Sequence, residues 1–293
     1  YTKVLTIDPN NFYGFYNRAH VMKAKGDYKA AISDLNKAIE INPNSRDAYD
    51  LRGNVKESAG NYEGAIVDHK KGIEIDPNNA QLYNNLGYSM EGLGDYQGAI
   101  LNYTKAIAIN PKYTLAYINR SNAKSHLGDF QGAIADYSEL ISADSINYTA
   151  YNSRGTIKER LGDLKGARND YEQSLRINPE NVRAYNNLGN LKDDSGKHES
   201  AILDYNKAIK IDPEYALSYY NRGLAYKRLG KLQEAINDYS TSIQLDPSNY
   251  AAYINRGITR ENIGDLKGAC ADWRKASSLG DQDAAGWVKD QCQ

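Results

Sequence analysis

The sequence predicts an all-α protein built as an array of antiparallel helical hairpins, because several residue types recur every 34 residues. The seven prolines stand 34 residues apart except for one gap of 68, where Ser145 occupies the missing position. Glycine, alanine and an aromatic residue recur with the same period through eight cycles. A fixed period of this length is the signature of stacked helical units that cannot bury their apolar faces alone.

The first helix of each repeat is indicated by apolar spacing and by its end signals. In residues 80–113, the run from Gln81 to Leu93 carries apolar or small residues at the i, i+3, i+4 and i+7 positions of one helical face. Gly94 follows as a helix stop that adopts positive φ without steric cost. Asp95 then caps the next helix, and six of the eight repeats have Asp or Asn there, Lys197 and Lys231 being the exceptions.

The second helix is predicted over Tyr96–Ile109 and ends before Asn110-Pro111, because proline disfavours helical geometry at the residue before it. The short connection makes the two helices antiparallel neighbours. Gly87 lies in the middle of the first helix, where glycine costs about 1 kcal/mol relative to alanine. We therefore expect close approach of the second helix through Ala99 and Ala106, with Tyr83 packing across the seam.

This pattern resembles the tetratricopeptide repeat (TPR) family: an aromatic residue, Leu-Gly or Arg-Gly, then alanine, aromatic, alanine and proline, over essentially the whole chain. The resemblance implies one right-handed α-solenoid, a superhelix whose first helices line a concave groove. The expected organisation is the second helix of a partial repeat (1–11), eight repeats (12–45, 46–79, 80–113, 114–147, 148–181, 182–215, 216–249 and 250–283) and a C-terminal capping helix (284–293). The partial repeat leads us to expect that the array continues before Tyr1.

Composition and motifs favour a binding protein over an enzyme. The formal net charge is −1 and no stretch approaches the ~18 apolar residues of a membrane span, so we expect neither nucleic-acid binding nor membrane insertion. The four histidines fall at different positions of the repeat, and no metal, phosphate-loop or nucleophile motif is present. We therefore expect no cofactor and no metal. We also expect no catalytic centre, because carboxylates that recur in every repeat do not make a unique acid–base pair.

The strongest candidate for a binding function is a recurring asparagine on the first helix, here called the asparagine series. Six repeats carry it, while Leu51 and Ser153 replace it in the others: Asn17, Asn85, Asn119, Asn187, Asn221 and Asn255. An amide side chain matches the donor and acceptor of a peptide unit. The series resembles the asparagine ladder in the TPR superhelix of O-linked N-acetylglucosamine transferase. The alternative is that Asn-Arg-Gly is simply a favoured sequence in such repeats.

A second series on the first helix is acidic, and is here called the acidic series: Glu57, Glu91, Glu159, Asp193 and Glu261. It favours a basic ligand if it faces the groove, and is otherwise a solvated helix face. Recurring arginines (the Arg18 type) and second-helix aspartates (the Asp34 type) predict an ion pair within each hairpin, in preference to anion binding. The residues of the carboxylate clamp known from chaperone-binding TPR domains are not found.

The partners we expect are proteins or peptides that bind as extended segments in the groove. A self-assembling structural array, associating through the open N-terminal half-repeat, is the second hypothesis, and a regulatory arm of a larger enzyme is the third. Cys270 and Cys292 lie on helices that should pack together, so a disulfide and two free buried thiols are both compatible with the sequence. A disulfide would indicate an oxidising compartment.

Overall fold

The computed structural model describes residues 1–292, and all of its regular structure is α-helical. The helices form two compact units, Tyr1–Ser145 and Ile146–Gln293. The boundary falls at Ser145, the one internal position where a repeat lacks its proline. None of the helices in the described part of the chain combines the length and apolarity needed to cross a membrane.

The first unit contains a short N-terminal helix and four hairpins. Helix α1 spans Thr2–Ile7. The first helices of the hairpins are α2 Phe12–Ala24, α4 Arg46–Ser58, α6 Ala80–Gly92 and α8 Thr114–His126. The second helices are α3 Tyr28–Ile41, α5 Tyr62–Ile75, α7 Tyr96–Ile109 and α9 Phe130–Ala143. Within the unit, each second helix packs against its own first helix and against the first helix that follows.

The second unit repeats this plan and ends in one further helix. Its first helices are α10 Tyr148–Arg160, α12 Val182–Asp194, α14 Ala216–Arg228 and α16 Tyr250–Asn262. Its second helices are α11 Leu164–Ile177, α13 His198–Ile211, α15 Leu232–Leu245 and α17 Leu266–Ser278. Helix α18, Gln282–Gln291, begins two residues before the predicted capping helix, because Asp281 caps it by accepting from the backbone N–H of Ala284.

The predicted helix signals are confirmed. The eight glycines that follow the first helices all have positive φ, between +73° at Gly230 and +88° at Gly162. In six repeats an Asp or Asn follows this glycine and accepts a hydrogen bond from the backbone N–H three residues later, as Asp95 does from Gly98 at 2.9 Å. The second helices that follow Lys197 and Lys231 have no side-chain cap. The sequence therefore encodes where each helix begins and ends.

The mid-helix glycines accommodate an aromatic ring in addition to the expected close approach of the second helix. A Cβ atom placed on Gly155 would lie 2.7 Å from Cε1 of Tyr171, and one on Gly87 would lie 2.7 Å from Cε1 of Tyr103. The second helix does approach closely, since the carbonyl oxygen of Ala99 would lie 3.1 Å from that atom on Gly87. Tyr83 is half-buried, and the ammonium group of Lys105 lies over its ring at 5.5 Å from the centroid.

The predicted Arg–Asp pairs are confirmed in six repeats. Arg222 illustrates the geometry: its Nε and Nη2 atoms each lie 2.7 Å from one carboxylate oxygen of Asp238. The other pairs are Arg18–Asp34, Arg52–Asp68, Arg120–Asp136, Arg154–Asp170 and Arg256–Asp272. Each guanidinium also lies over the aromatic ring three residues earlier on its own helix.

The two ends of the chain differ in how they are covered. No residue of α1 is buried, and Ile7 is 86% exposed. In contrast, α18 packs Trp287 against Trp273, with ring centroids 5.5 Å apart, over the last hairpin. The sulfur atoms of Cys270 and Cys292 are 2.02 Å apart and join α17 to the end of α18.

Candidate peptide-binding surface on the first helices

Within each unit the first helices form a continuous surface. Successive first helices contact one another directly, α2 with α4 and α6 with α8 in the first unit, and α12 with α14 in the second. Side chains on these helices that do not pack against second helices therefore lie beside their counterparts in the next repeat. We call this the first-helix face of each unit, and both the asparagine series and the acidic series lie on it.

The asparagine series links neighbouring repeats by hydrogen bonds. Each of five members donates from Nδ2 to the residue 35 positions earlier, on the preceding first helix: Asn85 to Asp50 (2.9 Å), Asn119 to Asn84 (3.0 Å), Asn187 to Asn152 (3.3 Å), Asn221 to Asn186 (3.1 Å) and Asn255 to Tyr220 (3.1 Å). Asn17 stands on the first helix of the first full repeat and is half-buried. The series thus has a structural role that the sequence did not reveal.

These bonds also fix how the amides are oriented. Asn119 and Asn187 are half-buried, and within residues 1–292 their Oδ1 atoms accept no hydrogen bond. An amide whose N–H₂ group is held by the preceding repeat presents its oxygen as an acceptor. Asn221 is more deeply placed, at 8% exposure. The first-helix face therefore offers fixed acceptors at Asn119 and Asn187.

The acidic series divides into carboxylates held by buried tyrosines and carboxylates held by cations. Glu91 accepts from the hydroxyl of Tyr103 at 2.9 Å, and Glu159 accepts from Tyr171 at 2.6 Å. Each tyrosine lies 12 residues after its carboxylate. A comparison of the recurring tyrosines with the acidic series would have detected this spacing in the sequence. Burial raises the pKa of Glu159 above its usual value, although the Tyr171 bond opposes the shift.

Glu57 belongs to a network around His69, the fully buried histidine that replaces tyrosine in the second repeat. His69 Nε2 lies 3.2 Å from Glu57 Oε1, and Nδ1 lies 3.4 Å from Asp50 Oδ1, within ion-pair range but poorly aligned for a hydrogen bond. Burial alone would lower the pKa of His69, but the carboxylates of Asp50 and Glu57 outweigh it and raise the pKa to about 8. Sequence reasoning missed the contacts of His69, because Asp50 and Glu57 lie on a different helix of the hairpin.

Asp193 is almost fully buried and is paired with His198 and Arg228. His198 Nδ1 lies 2.6 Å from one of its carboxylate oxygens, and Arg228 bonds the other. A cavity of about 170 Å³ adjoins these groups and is also lined by Glu159, Asp194 and Leu224. Glu261, the last member of the series, is exposed. Four of the five members of the acidic series are therefore already hydrogen-bonded or paired within the protein, and the series is a weaker candidate for a basic ligand than its sequence indicates.

Lys227 stands where the acidic series would place a carboxylate in the seventh repeat. Its ammonium group contacts Asn255 Oδ1 at 3.4 Å. Within residues 1–292 no group of three or more His, Cys, Asp or Glu side chains is arranged to hold a metal ion. The first-helix faces thus present hydrogen-bonding amides and a few charged groups.

Comparison with known proteins agrees with this architecture. Family models described as "TPR repeat" match residues 53–94, 160–192 and 194–230. Models described as "Tetratricopeptide repeat" match residues 216–249, 12–45, 80–113 and 115–147. No curated protein is similar enough in sequence to match the chain.

Solved structures with similar folds include a tetratricopeptide repeat protein from Parabacteroides merdae ATCC 43184. It is 23% identical, with a TM-score of 0.66 over 85% of this chain and 99% of that one. The APC/C hetero-tetramer Cut9–Hcn1 gives 16% identity and a TM-score of 0.63, covering 91% of this chain and 53% of that one. MamA gives 26% identity and a TM-score of 0.50 over 56% of this chain and 96% of that one.

Family models and structural neighbours support the same general class, in which helical repeats present surfaces to other proteins and typically carry no catalytic centre. The chain belongs to the tetratricopeptide repeat family and is a helical-repeat scaffold for protein interactions.

Proposed function

We propose that the first-helix face of each unit binds an extended segment of a partner protein, with asparagine side chains contacting its backbone. The observation that carries the proposal is the fixed orientation of Asn119 and Asn187, whose N–H₂ groups are held by the preceding repeat while their oxygens accept no hydrogen bond within residues 1–292. An extended peptide presents backbone N–H donors along its length. A fixed acceptor for backbone N–H groups suits such a ligand whatever its side chains.

The experiment is selection of a phage-displayed random peptide library on the immobilised chain, followed by affinity measurements on enriched peptides by fluorescence anisotropy. The test variants are Asn119→Ala and Asn187→Ala, and the triple variant adds Asn221→Ala. A hydrogen bond contributes roughly 0.5–1.5 kcal/mol, so each single substitution that faces a bound peptide should weaken it about 2- to 12-fold.

The matched control is Asn169→Ala, which removes an exposed asparagine from second helix α11. Its affinity for the same peptides should equal that of the unchanged chain. Because the asparagine series also links repeats, circular dichroism must show that each variant keeps its helical content. Equal affinities for the triple variant and the control would contradict backbone binding through the series.

A second candidate function is self-association through α1. Val4 is 42% exposed and Ile7 is 86% exposed on a helix with no buried residue, so an apolar face lies open to water. If that face joins copies of the chain, the molar mass in light scattering should rise with concentration, and Val4→Ser with Ile7→Ser should return it to that of a monomer. A constant monomer mass would exclude this candidate.

A further inference from the structure

Lys227 is a half-buried cation without a counter-ion in the described part of the chain. Within residues 1–292 no carboxylate lies within 4.0 Å of its ammonium group, and Asn255 Oδ1, at 3.4 Å, is its one hydrogen-bond acceptor. The side chain is half-buried. Burial lowers the pKa of Lys227, and no charged neighbour counters that effect. A partly desolvated cation without a partner is costly to the protein, so an anion placed beside it would be stabilised.

Asn255 connects Lys227 to Tyr220, and both Tyr220 and its neighbour Tyr239 have unused donor capacity. Tyr220 Oη accepts from Asn255 Nδ2 at 3.1 Å but donates to no group in the described chain. Behind it lies Tyr239, fully buried, whose hydroxyl has no hydrogen-bond partner. Their ring centroids are 6.0 Å apart. Lys227, Tyr220 and Tyr239 together therefore present donors in excess of acceptors.

The other repeats show what is missing here. At the same repeat position, Tyr171 donates to Glu159, 12 residues earlier, and Tyr205 donates to Asn190, 15 residues earlier. For Tyr239 those two places are occupied by Lys227 and Leu224, neither of which can accept. The seventh repeat has thus exchanged an acceptor for a cation on the first-helix face, and an acceptor supplied from outside would satisfy both Lys227 and the half-buried Tyr220.

We propose that Lys227, with Tyr220 and Asn255, binds the carboxylate of an aspartate or glutamate side chain within the partner segment. This rests on the proposed function and adds a chemical preference to it. The ammonium group would form a charge-assisted hydrogen bond with the carboxylate, and the Tyr220 hydroxyl would donate to its second oxygen. The ligand is an internal side chain and not a chain terminus, because the proposed partner is an extended segment whose backbone continues along the first-helix face.

The test uses short peptides with blocked ends and the full chain labelled with ¹⁵N-lysine and ¹³C-tyrosine. Ac-Gly-Gly-Glu-Gly-Gly-amide is titrated and NMR shifts of Lys227 and Tyr220 are followed. The corresponding Gln peptide is the neutral control, and the Gln peptide with a free C-terminal carboxylate tests the terminus. We expect the Glu peptide to bind at least about 10-fold more tightly than either Gln peptide, as charge-assisted hydrogen bonds imply.

Two variants test the residues, and one is the control. Lys227→Gln should abolish the preference for Glu over Gln, and Tyr220→Phe should reduce it about 3-fold or more. Lys210→Gln removes a lysine from second helix α13 and should change nothing. Equal shifts from the Glu and Gln peptides, an unchanged preference in Lys227→Gln, or binding of the free terminus alone would overturn the proposal.

The two proposals fail in distinguishable ways. Library peptides whose affinity falls in the Asn119 and Asn187 variants but not in Lys227→Gln would support backbone binding and contradict the carboxylate site. Shifts at Lys227 with the Glu peptide, in a chain that enriches no library peptide, would support the carboxylate site and contradict extended-peptide binding.

Discussion

Tyr171 donates a 2.6 Å hydrogen bond to Glu159, whereas Tyr239, at the equivalent position two repeats later, is equally buried and its hydroxyl has no partner. The same substitution should therefore have different effects at the two sites. Tyr171→Phe should cost about 1.5–3 kcal/mol, because it removes a bond to a charged and partly buried acceptor. Tyr239→Phe should be neutral or slightly stabilising. Urea unfolding of the two variants measures the difference, and equal losses would contradict this account.

The glycines beneath the aromatic rings should resist substitution by alanine despite its higher helix propensity. In Gly155→Ala the new Cβ would lie 2.7 Å from Tyr171, and we expect a loss of about 1–3 kcal/mol from overpacking. Gly286→Ala in α18 is the matched control, because nothing lies within 4 Å of its Cβ position, and it should gain up to about 1 kcal/mol. Hydrogen exchange of the amides in α10 and α18 reports each effect locally, and protection in α10 that survives the Gly155 change would argue against close packing.

Substituting both Arg222 and Asp238 should destabilise the chain less than substituting Arg222 alone. Arg222→Leu alone leaves the buried Asp238 carboxylate without its cation, and we expect a loss of about 3 kcal/mol. The double variant Arg222→Leu with Asp238→Asn reproduces the third repeat, where Leu86 accompanies Asn102 and the amide donates to the Gly98 carbonyl at 2.8 Å. It should recover most of the loss. Thermal unfolding compares the two variants. A double variant no more stable than Arg222→Leu would contradict this prediction.

His69 should make the stability of the first unit depend on pH. Its pKa in the folded chain is about 8, above the usual 6.5, so its contribution is fully present below pH 6.5 and is lost as pH rises through 8. The loss amounts to about 2 kcal/mol at most. In His69→Tyr this dependence should disappear, because the hydroxyl would reach Glu57 as Tyr103 reaches Glu91. Urea midpoints of both chains between pH 6 and 9 test this, and parallel curves would contradict it.

The Cys270–Cys292 pair is predicted to be a disulfide when the chain is exposed to oxidant. Intact mass should rise by two hydrogens on reduction. The bond closes a segment with a sequence separation of 22, which corresponds to about 3 kcal/mol of stabilisation for the last hairpin and α18. Trp287 fluorescence should report earlier unfolding after reduction. The Cys270→Ala, Cys292→Ser chain is the control, since reductant should not alter its unfolding.

The fold could be predicted from the sequence because its signals are local and repeated. A glycine stop such as Gly94, a cap such as Asp95 and the apolar spacing of each helix act within a few residues, and eight copies make their period visible. The Arg–Asp pairs also emerged from repetition, since Arg222 and Asp238 recur together at a constant spacing. Contacts that vary between repeats could not be predicted in this way, and the His69 network and the uncompensated Lys227 are two of them.

The sequence by itself therefore determined the hairpins, their boundaries, their stacking order and the recurring ion pairs of this protein. Only the tertiary structure decided that the asparagine series links repeats through residues 35 positions away, and that most of the acidic series is already hydrogen-bonded or paired within the protein. The physical reason is distance. Helix signals depend on neighbours along the chain, whereas the free hydrogen-bonding capacity of a surface group depends on what adjacent repeats bring within about 3 Å of it.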